Sequence, residues 1–215
     1  RQTNGCIAWN GRLNHSRVDD VMNRITRPLK LDTLHWSVSS ILSKKLAAGT
    51  THCIIDVPLG PTAKVRTATD AENLRELFLH VGEALDLHIE VRLTDGRAPI
   101  GRGIGPALEA RDVVSILKNE DDPPTDLRDK ALSFAASILA FDPSMSEAEA
   151  PIRVRELLDS GAAWETFDRM CAEQGPPPEE TEIGRHSVTI AADADGSVDY
   201  IDCYTLASIA RAAGT

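Results

Sequence analysis

Between Leu34 and Leu46, apolar residues recur at Leu34, Val38, Ile41, Leu42 and Leu46, while Ser39, Ser40, Ser43, Lys44 and Lys45 fill the positions between them. That period predicts an amphipathic helix over 33–48, with Asp32 as its N-cap and Gly49 as its stop. Cys53-Ile54-Ile55-Asp56-Val57 then reads as a strand, and it runs into the turn-rich Pro58-Leu59-Gly60-Pro61-Thr62-Ala63-Lys64. A second helix opens at Asp70, because Leu74, Leu77, Phe78, Val81 and Leu85 share one helical face, and a second strand follows over His88 to Leu93. Two strands joined through a helix pair in parallel by default, with a right-handed crossover. Ligands in such sheets collect at the carboxyl ends of the strands. The helix over 33–48 and the basic end of the Pro58–Lys64 turn are therefore the first places to look for a site.

Beyond this unit, Thr94 to Pro106 is glycine-rich and precedes a helix over 107–117. Gly101, Gly103 and Gly105 alternate, matching neither the dinucleotide fingerprint nor the P-loop, so the loop either cradles an anion at the helix start or packs closely as a turn. Asp121-Asp122-Pro123-Pro124 breaks the chain before helices over 126–140, 146–158 and 162–174. Gly175 to Arg185 reads as a stiff Pro-rich linker. His186 to Asp202 alternates apolar and polar residues around Asp195-Gly196, predicting a hairpin, and a short helix starts at Tyr204. The fold class expected is α/β: a strand-helix-strand sheet domain with an added helical segment over 1–174, a linker over 175–185, and the start of a small α+β C-terminal domain over 186–215.

Composition narrows the function. The 215 residues carry a formal net charge of −10, and a phosphate-binding face on nucleic acid normally shows as a basic excess. Nucleic acid is not the expected partner, and single basic residues must hold any anionic ligand. No apolar run approaches the ~20 residues of a membrane span, so a membrane anchor is not expected. The four cysteines, Cys6, Cys53, Cys171 and Cys203, are widely spaced and form no C-x-x-C pair, which suits reduced, packed thiols of an intracellular protein.

Four blocks in order carry a resemblance: Asn4 to Trp9, Ser39 to Gly49, Ile55 to Val65, and Gly101 to Ala110. Across nearly its whole length the chain resembles the thymidine phosphorylase and AMP phosphorylase family of nucleoside phosphorylases, nearest to the AMP phosphorylase-like branch. The resemblance implies phosphorolysis of the N-glycosidic bond of a nucleoside or nucleoside 5′-monophosphate, giving free base and sugar 1-phosphate. It also implies inorganic phosphate as co-substrate, no other cofactor, no metal among the site residues, a homodimer and a cytoplasmic location. The family's phosphate-binding Lys-x-Ser-x-Gly-Gly block has no counterpart here, so the expectation is a piece of a longer enzyme. Such a piece would bind the base and part of the sugar, and would be inactive alone.

Carried over residue by residue, the AMP phosphorylase-like branch implies Asp32 as catalytic proton donor to the leaving base, with Ser40 and Lys64 binding substrate. Lys44 matches a base-contacting lysine of the thymidine-specific branch. The arginine upstream of the helix in that branch is not at its expected place, where this chain reads Arg24-Ile25-Thr26-Arg27. For each residue a plain role competes: helix cap for Asp32, back-bonding to the helix for Ser40, a solvated charge for the lysines. Asp32, Trp36, Ser40 and Lys44 fall on one i, i+4 stripe, and the ~12 Å from Asp32 to Ser40 suits an extended ligand. The alternative from another class is a non-catalytic structural or dimerisation module.

Overall fold

A computed structural model describes residues 3, 5–7, 17–26, 28, 29, 31, 33–175 and 184–214. The element order among them is α1 (Arg17–Thr26), α2 (Leu34–Ala47), β1 (His52–Leu59), α3 (Ala68–Ala84), β2 (His88–Asp95), α4 (Pro106–Leu117), α5 (Thr125–Leu139), α6 (Ala150–Asp159), α7 (Ala162–Gln174) and α8 (Cys203–Ala212). The fold is α/β, as the pattern of positions requires. By contact the chain divides into two compact units, Ile7–Asp95 and Arg1–Cys6 with Gly96–Thr215. This boundary falls inside the 1–174 span, and most of the 175–185 linker lies outside the described residues.

In the Ile7–Asp95 unit, β1 and β2 pair in parallel, with His52 opposite His88 and Leu59 opposite Asp95. Cys53, Ile55 and Val57 are buried while His52, Asp56 and Pro58 are exposed, the two-residue alternation of a strand with one covered face. Helix α3 links the strands and starts on a side-chain cap: Thr67 Oγ1 accepts the Asp70 amide at 3.0 Å and donates to Asp70 Oδ2 at 2.7 Å. Ala71, Leu74, Phe78 and Gly82 form its buried stripe. A Cβ at Gly82 would come within 2.5 Å of Ile89 Cδ1, so a larger residue there would have to push the Ile89 side chain aside. With Val38 and Leu42 of α2, these side chains make one core in which Phe78 and Leu42 are each 1% exposed.

In the Gly96–Thr215 unit, α5 and α6 pack through Ala136, Ala150 and Val154, with Leu132, Leu139 and Met145 around them. Asn119, at φ +53, ends α4 and ties it to α6 through Nδ2 to the Leu158 carbonyl at 2.8 Å. The helix expected from Ser146 opens with a reciprocal box, Ser146 Oγ to Glu149 Oε2 at 2.6 Å and the Glu149 amide to Ser146 Oγ at 3.2 Å, before regular helix begins at Ala150.

The hairpin over 186–202 is not formed: no residue from Gly184 to Asp202 is in a strand. Val188, Ile190 and Val198 are 86%, 92% and 78% exposed, so their alternation has no apolar surface to pack against, and an isolated two-stranded hairpin is marginal in water. Among the described residues no helix is long and apolar enough to cross a membrane.

Candidate functional site

Helix α2 is capped one residue later than its sequence suggests. Thr33, with extended backbone, accepts the Trp36 amide at 3.1 Å on its hydroxyl, so the threonine and not Asp32 is the N-cap. Asp32 itself lies outside the described residues, as does Arg27. Across from α2, the chain leaving β1 turns back on itself: the Gly60 amide meets the Val65 carbonyl at 3.1 Å, and the Ala63 amide meets the Gly60 carbonyl at 3.1 Å. Leu59 and Val65 form a short parallel bridge. The turn thereby returns Lys64 to the carboxyl end of β1, where strand-end sites form.

Between these elements lies a cleft of about 410 Å³. The cap residue Thr33 with Leu34, Ser37 and Ile41 of α2 forms one wall, and Ile55 to Pro58 of β1 with Ala63 to Val65 form the other. Leu74 and Phe78 also line it. The interior is apolar, with Thr33, Ser37 and Lys64 as polar residues along it; Asp56 also borders it, although its side chain is on the exposed face of β1. Asp56 Oδ1 accepts from Thr94 Oγ1 at 2.6 Å, which anchors the carboxylate across the strand pair. This combination, an apolar slot with a few fixed polar groups, is the usual build of a small-molecule site.

Ser40 and Lys44 come together as their spacing predicts. Lys44 Nζ donates to Ser40 Oγ at 2.9 Å. The same ammonium pairs with Asp19 Oδ2 of α1 at 2.7 Å, and Asn23 Nδ2 donates to that oxygen at 3.0 Å. Ser40 and Lys44 are not among the residues lining the cleft; they sit on a row ~60° around α2 from Ser37 and Ile41, since a helix turns once in 3.6 residues. Lys64 is thus placed in the cleft, and Ser40 and Lys44 on the adjoining row. Arg24 is exposed on α1.

No motif in the sequence gives a role to Asp19, Ser37 or Asp56. Asp56 and Ser37 carry no distinguishing spacing, but Asp19, Asn23 and Thr26 recur at i, i+4 and i+7, a polar stripe readable in the sequence as one face of α1.

The glycine-rich loop is a packed turn in the Gly96–Thr215 unit. Asp112 Oδ2 accepts the amides of Arg102 and Gly103 at 2.7 Å each, Asp126 Oδ2 that of Gly101 at 3.1 Å, and Glu109 Oε1 that of Gly105 at 2.9 Å. The donors that would meet an anion are already met by carboxylates of the chain. A Cβ at Gly103 would lie 2.4 Å from the Leu108 carbonyl carbon, so close approach of loop and helix is what the glycine serves. All four cysteines are free thiols; Cys53 is buried, and burial pushes its thiol pKa up despite the Lys45 charge, whereas Cys6 is exposed.

No protein-family model matches the sequence. Curated relatives do match: the chain belongs to the thymidine phosphorylase family. It is 53% identical over 214 residues to a bifunctional ribose 1,5-bisphosphokinase-thymidine phosphorylase of Cupriavidus pinatubonensis, covering 99% of this chain and 36% of that relative. The protein of the same name from Azorhizobium caulinodans is 53% identical over 210 residues, 98% of this chain and 30% of the relative. Further relatives named for thymidine phosphorylase alone, from Bradyrhizobium strains, are about 50% identical. The chain spans about a third of the length of the first two relatives.

Proposed function

We propose that this chain forms the base- and sugar-binding part of a nucleoside phosphorylase, a pentosyltransferase that cleaves an N-glycosidic bond with inorganic phosphate. The observation that carries the reading is the Ser40–Lys44 pair on α2, 2.9 Å apart, next to a cleft at the carboxyl end of β1. Because Ser40 Oγ accepts from Lys44, its own proton is left to donate outward, and Lys44 has a third N–H beyond those given to Ser40 and Asp19. Two adjacent donors suit the carbonyl edge of a base such as thymine or uracil. Relatives named for thymidine phosphorylase without the kinase favour this activity over the kinase named in the bifunctional ones.

In the reaction proposed, the bond from the sugar C1′ to the base nitrogen breaks, and a phosphate oxygen bonds to C1′. The sugar carries oxocarbenium character in the transition state, countered by the phosphate dianion. The base takes a proton as it departs, and the residue proposed to supply it is Asp32, with the donor pair of Ser40 and Lys44 holding the base edge. Lys64, at the mouth of the strand-end turn, would meet an anionic group, either phosphate or the 5′-phosphate of a nucleotide.

The test is phosphate-dependent release of base from thymidine, uridine and AMP, measured with this chain and in parallel with a protein spanning the relatives' full length. Release from thymidine or uridine by the longer protein supports the reading. Release from AMP in preference to both would move the substrate to the nucleotide. No release from any of the three would overturn it and leave a non-catalytic module.

A further inference from the structure

The carboxylate of Asp19 is 3% exposed, and a buried charge persists only where it is paired. Its partner is Lys44, whose side chain is still 21% exposed. The pair is therefore lopsided: a buried anion holding a cation that keeps one side open. We infer that Asp19 is a positioning residue of the ligand site, fixing the Lys44 ammonium so that it and Ser40 present their remaining protons in one set direction. The inference rests on the reading of Ser40 and Lys44 as base donors given above.

Three observations support it. A lysine side chain is a flexible four-carbon stem with three rotatable donors, and a free one gives a ligand no fixed geometry. Here Asp19 Oδ2 takes one proton at 2.7 Å and Ser40 Oγ another at 2.9 Å, which leaves the direction of the third determined. Asn23 Nδ2, donating to the same Asp19 oxygen at 3.0 Å, holds the carboxylate in turn. Preorganising a donor in this way strengthens binding by removing the cost of ordering it on contact. The 21% exposure of Lys44 spares the pair part of its desolvation cost and leaves the third proton within reach of a ligand.

Lys45, exposed and adjacent in sequence, supplies an internal standard. Trace acetylation of the 215-residue chain, read by peptide mass spectrometry, should modify Lys44 about tenfold more slowly than Lys45, in keeping with a charge-assisted bond. Asp19→Asn should bring the two rates to within about twofold, and Asp19→Glu should keep Lys44 the slower. Cys53, buried in the same unit, checks folding, since its thiol should resist alkylation in every variant. Should Asp19→Asn expose Cys53, the ratio in Asp19→Glu decides: Lys44 still slow supports the anchor, Lys44 as fast as Lys45 overturns it. Thymidine binding by calorimetry supplies the second readout. Asp19→Asn should weaken it about tenfold, Asp19→Glu should recover part of it, and the double replacement Asp19→Leu with Lys44→Met should restore thermal stability without restoring binding. Lys44→Met leaving thymidine binding unchanged would defeat the functional reading, while the labelling ratio would still decide the grip of Asp19. Lys44→Met weakening binding while Asp19→Asn alters neither binding nor labelling would defeat the positioning role.

Discussion

Asp112 and Gly103 meet at 2.7 Å through a carboxylate oxygen and a backbone amide, and the same oxygen holds the amide of Arg102. Helix α4 thus supplies from its own side chain the negative group that the preceding loop is shaped to receive. Asp112→Ala should cost about 1–3 kcal/mol, the range for leaving hydrogen-bonded donors without their charged partner. Urea unfolding checks this, and an unchanged midpoint would show that the loop holds its shape without the carboxylate.

Phe78 is enclosed by α2, β1 and its own helix, whereas Leu85, on the same predicted face, is 40% exposed where α3 ends. Phe78→Ala should destabilise the chain by about 3–5 kcal/mol and Leu85→Ala by less than about 1 kcal/mol. Equal losses in chemical denaturation would mean that the core does not centre on Phe78.

The proposed chemistry predicts different penalties for different residues. In a protein active on thymidine, Asp32→Asn should lower kcat by about two orders of magnitude if Asp32 donates the proton. Ser40→Ala should act chiefly on KM, by about tenfold for one hydrogen bond to the base. Lys64→Met should raise the KM for phosphate or for a nucleotide. Near-normal turnover in Asp32→Asn would remove that residue from the mechanism.

Thiol chemistry should separate the cysteines. Cys6 is exposed, while Cys53 is buried on the covered face of β1 with its thiol pKa raised by burial, so at neutral pH iodoacetamide should consume Cys6 first and spare Cys53 until the chain unfolds. Simultaneous loss of both thiols would contradict the buried position of Cys53.

Three surface carboxylates set an acid limit. Hydrogen bonds from Thr205 and Tyr204 lower the pKa of Asp202 at the start of α8; bonds from Ser144 lower that of Asp142 and bonds from Ser146 lower that of Glu149. A folded pKa below the unfolded one means that the contribution is complete above the ordinary carboxylate range and is lost as pH falls through the lowered value. Helicity followed by circular dichroism should therefore hold from neutral pH down to about 4 and decline below it. Asp202→Asn should flatten the part of that decline due to α8.

The sequence carried the sheet unit because its periods are strong. Cys53, Ile55 and Val57 alternate, and Leu74 and Phe78 recur at helical spacing, so the core could be read directly. The cap of α2 is not legible in the sequence, because Asp32 and Thr33 are both good caps and only backbone geometry chooses between them. The hairpin over 186–202 failed for the opposite reason: alternation states a preference, but Val188 and Ile190 find nothing to cover them. For the site, the partnership of Ser40 and Lys44 follows from i, i+4 spacing. That of Lys44 with Asp19 does not, because it joins two helices whose packing no local pattern specifies.

Helix α2 offers Ser37 and Ile41 to the cleft and, on the next row, Lys44 to α1, with Ser40 bonded to that lysine. A cylinder that serves two neighbours from adjacent rows cannot turn to improve one contact without spoiling the other. Its rotational setting is accordingly doubly fixed, and a substitution on α1 would be felt inside the cleft as a change in the angle of its wall.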